Sequence, residues 1–472
     1  MPFFISKNRK EVFMKRVFSE LQQIGKALML PVATLPIAAL LLRLGAGDIF
    51  DIPVVFAAGN IIFSNLPLIF GIGVAIGISK DGHGAAALSG AVAYLVLTEV
   101  TTTMNADINM GVLSGIIGGY LAAKLYNQFH NIKVPQVLGF FGGKRFVPIV
   151  TGLSSVILGV LLGWIWPPIQ DAIHSFGLFL TESGPFGVGI YGVFNALLLP
   201  TGLHHILNSL VWFVFGEFNN AGEIVNGDLF RFFAGDPDAG SFMAGFYPIF
   251  MFGMLGAALA MYQTARKDQR KKIGGLLLGA AGTFALTGIG EPLLFLFVFT
   301  APLLFAVHAF LQGTSLAITT LLGVKHGFGF SAGLIDYILN FGLSTKGWLI
   351  IPIGIVYFIL YYVIFRFLIV KFDLQTPGRE KDIDYNVEAE ITGTSEEIAL
   401  KYVQFLGGKG NIKHCDSCIT RLRLQLNDQS KVDEDGLKKL GSSGVFKMKN
   451  SVQVVVGTHA EFIAQDINKV LK

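Results

Sequence analysis

Cysteine is nearly absent from the chain: two in 472 residues, Cys415 and Cys418, both in the polar C-terminal tail. With no other thiol to pair, a fold built on a disulfide framework is excluded. Charge is scarce as well. Asp, Glu, Lys and Arg make up 14% of the residues while hydrophobic types reach 52%, and the mean hydropathy is +0.60. A soluble protein could not hide so much apolar surface, which excludes the string of about two to four soluble domains that the length alone allows. A cleavable signal is not expected either, because the basic stretch 7–16 runs on with no small-residue cleavage site near it. No basic stripe interleaved with aromatics accompanies the formal charge of +4, so nucleic acid is not an expected partner.

What is present is apolar sequence in long blocks, among them 27–42, 54–78, 149–166 and 349–370. Several reach the roughly 20 residues that a membrane-crossing helix needs. The expected fold is a polytopic α-helical membrane domain of about ten spans. Repeated glycine, as in FGIGVAIGISKDGHGAAALSGAVAY, lets helices approach closely and permits backbone breaks, so re-entrant or broken elements are expected among the spans. Basic residues gather at 265–272, at Lys144 and Arg145 and at 366–379, which assigns those loops, and the amino terminus, to the cytoplasmic side.

Near Asp373 the composition changes, from an apolar helix to the Pro/Gly break TPGRE and then an acidic polar run. The expected domains are therefore a membrane domain at 1–378, a linker at 379–394 and a small soluble domain at 395–472. In the last, Ser395 with Glu396 and Glu397 suits a helix start, Ile398, Leu400, Tyr402, Val403 and Leu406 supply its apolar positions, and Gly407 and Gly408 stop it. A strand is expected at 419–426, a short helix at 434–440, strands at 445–449 and 452–456, and a final helix at 460–471. Short turns between strands imply an α+β domain, an antiparallel sheet with helices on one face.

Cys418 lies in HCDSCITRLRL, where apolar residues alternate with Thr420, Arg421 and Arg423. Strand alternation puts the two arginines on one face. Two guanidinium groups near a thiol favour its thiolate and offer planar donors to phosphoryl oxygens, and phosphoryl transfer asks little more of a protein than positioning and charge. These residues alone fit equally well a small core cysteine beside a solvated arginine face. A third reading makes Cys415 and Cys418 a redox pair or half a zinc site, but only His414 and His459 are near to complete a metal set.

The motif DSCITRLRL resembles the phosphocysteine motif of the B domain in bacterial phosphotransferase-system sugar permeases, and LGSSGVFK before QVVVG resembles that domain's later strands. FFGGKRFVPI, LPTGLHHILN, GIGEPLLF, GFSAGLIDY and LQTPGRE resemble the membrane C domain of the glucose superfamily, and GDLFRFFAGDPDAGSFMAGFYPIFMFG is most similar to the N-acetylglucosamine members. The resemblance implies import of a sugar with its phosphorylation, N-acetylglucosamine to its 6-phosphate, with glucose, glucosamine or maltose as alternative substrates. Cys418 is implied as the phosphoryl carrier, with Thr420, Arg421 and Arg423 beside it. Nothing like an A domain follows in the sequence, so a separate A component is the expected donor. A homodimer in the lipid of the bacterial cell membrane, with the amino terminus and B domain in the cytoplasm, is implied as well; no cofactor and no metal is.

In the membrane part, a carboxylate in hydrocarbon is expensive, so Glu291 reads either as a functional group or as one half of an inter-helix pair. By resemblance it binds the sugar and helps activate the attacking hydroxyl, with Gly290 beside it. His204 is either a packing residue or a group able to bond a hydroxyl or take its proton; resemblance favours a sugar contact. His205, about 100° round a helix from it, is a weaker candidate. Lys80 and Asp81 either line the sugar path or form a membrane-surface turn, and Asp107 and Asn109 carry the same two readings. The family usually has Arg where this chain has Ala196, Thr at Gly290 and Glu at Leu294. Losing a membrane Arg and Glu together suggests that they once compensated each other. A redox-regulated secondary transporter and a sugar receptor without transport remain as readings from other classes.

Overall fold

The computed structural model describes residues 20–21, 23–25, 27–220, 222–298, 300–379, 394–417, 421–442, 444–448, 451–456 and 460–471. The chain divides into two compact units, one made of Met1–Ile249 and Ala306–Gly354, the other of Phe250–Phe305 and Ile355–Lys472. Six helical stretches among the described residues are long and apolar enough to cross a bilayer, and a seventh is added if Pro53–Ser64 and Leu66–Ile78, bent by 56°, count as one broken span. The protein is a multi-pass helical membrane protein, and among the described residues the expected count of about ten spans is not confirmed. Glycine and proline end pieces such as Gly184–Leu198 and His204–Phe213, and the charged start of the helix Lys267–Thr287 leaves Ile273–Thr287 as its apolar part, each shorter than the roughly 20 residues a crossing takes.

In the first unit, Leu66–Ile78, Gly84–Met104 and Val112–Phe129 pack backbone against backbone. A Cβ on Gly90 would lie 2.3 Å from the Gly71 carbonyl oxygen, one on Gly119 2.5 Å from the same atom, and one on Gly115 1.9 Å from the Pro67 oxygen. Such approach is how helices associate where lipid removes the hydrophobic drive between them. Phe146–Glu182 has 37 residues, a length of about 55 Å against a hydrocarbon core of roughly 30 Å. It exposes Leu153, Ile157, Trp164 and Ile165, as a lipid-facing helix does. Buried Arg43 pins the end of Leu35–Gly45: it pairs with Asp48 at 2.7 Å and donates to the Leu339 carbonyl at 3.0 Å. A two-stranded hairpin, β1 Glu217–Asn220 and β2 Glu223–Asn226, follows His204–Phe213.

In the second unit, Met254–Thr264 meets Ile350–Lys371 at Gly256, whose added Cβ would lie 2.2 Å from the Phe358 carbonyl oxygen. The segment 374–379, part of a composition break in the sequence, is docked rather than loose: Arg379 donates to the Thr264 carbonyl at 2.8 Å and pairs with Asp373 at 2.6 Å, and the Arg266 N–H donates to the Gly378 carbonyl at 3.1 Å. Of the linker expected at 379–394, only its two end residues are described.

The C-terminal domain is the α+β fold that the sequence predicts. Its sheet runs β3-β4-β6-β5, all antiparallel, with β3 Ile412–Ser417, β4 Arg421–Leu426, β5 Gly444–Met448 and β6 Ser451–Val455. Helix Ser395–Phe405 starts on a capping box between Thr394 and Glu397, because each side chain satisfies the other residue's free N–H. With Glu434–Lys439 and Ala460–Leu471 it covers one face of the sheet, where Tyr402, Leu437 and Ile467 join Leu422, Leu424, Val452 and Val454 in one core. Each such leucine contributes about 1.5–3 kcal/mol by burial. Strand β3 is the element the sequence reading lacks.

Candidate functional site

Cys418 and Thr420 fall in residues 418–420, outside the described residues, so the site at the thiol is built from what flanks it. Those three residues join β3 to β4, whose pairing closes with Ser417 opposite Leu422. On β4 the alternation is as expected: Leu422, Leu424 and Leu426 are buried while Arg421 and Arg423 face away from the core. Arg423 stands opposite Asp416 on β3 and Gln453 on β6, and the Arg421 guanidinium lies 5.3 Å from the centre of the Phe446 ring. Stacking on an aromatic face holds a guanidinium in place without using its N–H donors. Cys415 differs in kind. It is 2% exposed in the domain core, and burial, with Asp416 adding to it, pushes its thiol up to about 12. No cluster of three or more His, Cys, Asp or Glu able to hold a metal occurs among the described residues.

His204 and His205 open the helix His204–Phe213, after a one-turn segment at Leu199–Thr201 and Gly202 at φ +76°. His204 is buried, and its Nδ1 has no hydrogen-bond partner among the described residues. Their rings do not diverge as helical spacing alone suggests: the centroids are 4.0 Å apart with planes tilted by 36°. At the first two positions of a helix no preceding turn keeps the side chains apart.

One turn on from His204, Asn208 anchors a buried polar chain that sequence reading missed. Its Oδ1 accepts from the Tyr191 hydroxyl at 2.9 Å and from the Asn195 amide, and Gln312 donates to the Gly192 carbonyl at 3.0 Å and to Asn195 Oδ1 at 3.3 Å. The partners come from distant parts of the chain. The one available signal was Asn208 itself, four residues after His204 and so on the same helix face.

In the second unit, Glu291 begins the short helix Glu291–Leu294, three residues after Gly288 at φ +77°. Gly290 has a direct packing reason: a Cβ there would lie 2.2 Å from the ring of fully buried Phe284, so the threonine usual in the family does not fit. Leu294 and Ala196 are each 1% exposed, where an unpaired charge would be costly.

Lys80 and Asp81 lie in the turn between Leu66–Ile78 and Gly84–Met104. The Lys80 N–H donates to Asn127 at 2.8 Å, and Asp81 pairs with Lys144 at 2.9 Å. The Lys144 hydrogen bond, helped by Tyr126, holds the Asp81 carboxyl down at about 2. Asp107 and Asn109 sit at the other end of Gly84–Met104, both exposed. There Gln170 pins their backbone, accepting from the Asn109 N–H at 3.0 Å and donating to the Asp107 carbonyl at 3.0 Å. The two pairs do not form one cluster.

A helical membrane domain followed by an α+β domain with outward arginines next to a cysteine defines a class, and sequence comparison agrees with it. Residues 25–313 match the family "Phosphotransferase system, EIIC", and residues 401–433 match "phosphotransferase system, EIIB". The chain belongs to the phosphotransferase-system EIIC family, joined here to an EIIB domain. Among particular relatives, it is 49% identical over 459 residues to the PTS system N-acetylglucosamine-specific EIICB component of Bacillus subtilis (strain 168), covering 97% of this chain and 100% of that protein. It is 50% identical over 459 residues to the N-acetylglucosamine-specific EIICBA component of Escherichia coli (strain K12), covering 95% of this chain and 71% of that protein. The glucosamine-specific EIICBA component of Bacillus subtilis (strain 168) is 45% identical over 97% of this chain and 74% of its own length.

Proposed function

We propose that the chain imports N-acetylglucosamine across the bacterial cell membrane and releases it inside as N-acetylglucosamine 6-phosphate. The observation that carries this reading is the 49% identity with an N-acetylglucosamine-specific EIICB component along that protein's whole length. Cys418 accepts a phosphoryl group from an A component, and Arg421, Arg423 and Thr420 offer donors to its oxygens. The sugar's 6-hydroxyl oxygen then attacks phosphorus, the S–P bond breaks, and sulfur leaves as thiolate. The hydroxyl proton passes to Glu291 or His204, which also hold the sugar, with His205 and Gly290 beside them. The product carries charge and cannot recross the bilayer.

In this reading the amino terminus and the EIIB domain lie in the cytoplasm, on the side of Lys144 and Arg145, in accord with the excess of basic residues there. The working unit is a homodimer embedded in lipid. Lys80, Asp81, Asp107 and Asn109, at the two ends of Gly84–Met104, are candidates for the sugar path rather than for the phosphoryl transfer itself. The test is phosphorylation in inverted vesicles supplied with phosphoenolpyruvate and the soluble donor proteins, against N-acetylglucosamine, glucosamine, glucose and maltose. N-acetylglucosamine is expected to give the highest kcat/KM. A higher value for any other sugar overturns the substrate, and normal uptake of unmodified sugar by Cys418→Ser overturns the transferase.

A further inference from the structure

The first unit contains a cavity of about 500 Å³ that none of the residues proposed for transfer lines. It is bounded by the loop at 109–113, the stretch 166–178 of the long helix and the chain at 213–217 with Asn226. Its volume falls within the roughly 300–1,000 Å³ of small-molecule sites. The floor is fixed rather than loose, because both ends of the Gln170 amide are engaged by the backbone at Asp107 and Asn109. Aromatic walls come from Trp166, 5% exposed, and Phe215, 4% exposed, and the Trp166 indole N–H has no acceptor among the described residues. Around the opening stand Asp171, His174 and Glu217, all exposed.

This is a mixed lining with a definite chemical preference. Carboxylates each accept from two hydroxyls at once, and aromatic faces cover the apolar side of a sugar ring. Two carboxylates and no Lys or Arg line the space, so a phosphorylated sugar is repelled where an uncharged one is not. The metal alternative lacks support, since no suitable donor cluster occurs among the described residues. Asp107 and Gln170 lie at the opposite end of Gly84–Met104 from the Asp81–Lys144 pair, which on the orientation proposed above is the external end.

We propose that this cavity is a second sugar site, an outer vestibule that takes up a monosaccharide without negative charge before it reaches Glu291 and His204. The proposal rests on the transport reading, and the experiment separates the two. Saturation-transfer NMR with N-acetylglucosamine is run on the full chain in nanodiscs, on wild type, on Glu291→Gln, and on Glu291→Gln combined with Asp171→Asn and Glu217→Gln. Glu291→Gln is expected to retain saturable binding that N-acetylglucosamine 6-phosphate does not displace, and the combined variant to lose it by tenfold or more. Because Asp171 and Glu217 are exposed, their isosteric replacement leaves the fold intact. His174→Ala in the Glu291→Gln background serves as the second variant, with a several-fold weakening expected. Disappearance of all saturable binding in Glu291→Gln overturns the vestibule, as does residual binding that is indifferent to both sets of changes. Phosphorylation by wild type is measured on the same preparation: its absence beside residual binding overturns transport alone, and its presence without residual binding overturns the vestibule alone.

Discussion

Cys415→Ser is expected to weaken the C-terminal domain while sparing phosphoryl transfer, the reverse of Cys418→Ser. Cys415 is 2% exposed, in the core formed with Leu422, Leu424 and Ile467. A serine hydroxyl buried there without an acceptor costs about 1–3 kcal/mol, which in a domain of this size lowers Tm by about 5–20 °C. With the thiol held at about 12, only about one Cys415 in ten thousand is thiolate at pH 8, too few for nucleophilic work. The sign of the pH dependence follows. The folded value lies above the ordinary 9.0, so this contribution to stability is complete below pH 9. It is lost as pH rises toward 12, by about 1.4 kcal/mol per pH unit. Phosphoryl incorporation from a radiolabelled donor, iodoacetamide labelling read by mass spectrometry, and thermal proteolysis of the C-terminal domain in the full chain make up the assay. If Cys415→Ser loses incorporation as completely as Cys418→Ser, or if native Cys415 alkylates as fast as Cys418, the separation of roles is wrong and a cysteine pair is at work.

Asn208→Leu strands the Tyr191 hydroxyl and the Asn195 amide at once; a loss of about 2–5 kcal/mol is expected, seen as lower yield in detergent, and a neutral result would show that the buried chain is not stabilising. Gly115→Ala should block assembly of the three-helix block, since its methyl would lie 1.9 Å from a backbone oxygen, and wild-type yield would contradict that packing. Asp81→Asn removes a solvent-screened surface pair; because Asp81 is held at about 2, below its ordinary value, its contribution vanishes only as pH falls through 2, and the transport profile between pH 5 and 8 should not move. Leu294→Glu alone should impair transport and Ala196→Arg with Leu294→Glu should recover part of it; equal gains from both would sink the idea that the two lost charges were partners.

Legibility in the sequence followed the range of the interactions. Helix Ser395–Phe405 and strand β4 were readable because caps, stop glycines and alternation are local signals. Strand β3 was not: in IKHCDS the lysine and histidine are exposed and Cys415 alone is buried, leaving no apolar rhythm to detect. The count of about ten spans is not confirmed among the described residues, because hydropathy sums over apolar residues without seeing where Gly, Pro and charge leave helices shorter than a crossing. Glu291, His204 and the arginines are candidates that motifs single out, whereas Gln312 and Tyr191 join Asn195 and Asn208 across up to 117 residues, a proximity that no local pattern encodes. Gly290 shows a further limit, because its reason is the Phe284 ring.

Three helices of the first unit come together at one carbonyl, that of Gly71, which Gly90 and Gly119 approach so closely that not even a methyl group fits between. Surfaces in such contact have no clearance for sliding, since a shift of one residue would bring a side chain where only hydrogen is tolerated. The block therefore turns as a single piece, and compliance has to be found outside it. The 56° bend between Pro53–Ser64 and Leu66–Ile78 lies directly before this block. Pro53–Ser64 is itself locked to Leu35–Gly45, since a Cβ on Gly59 would lie 2.3 Å from the Leu42 nitrogen and one on Gly45 2.1 Å from the Phe56 nitrogen, so the bend joins two separately interlocked pieces.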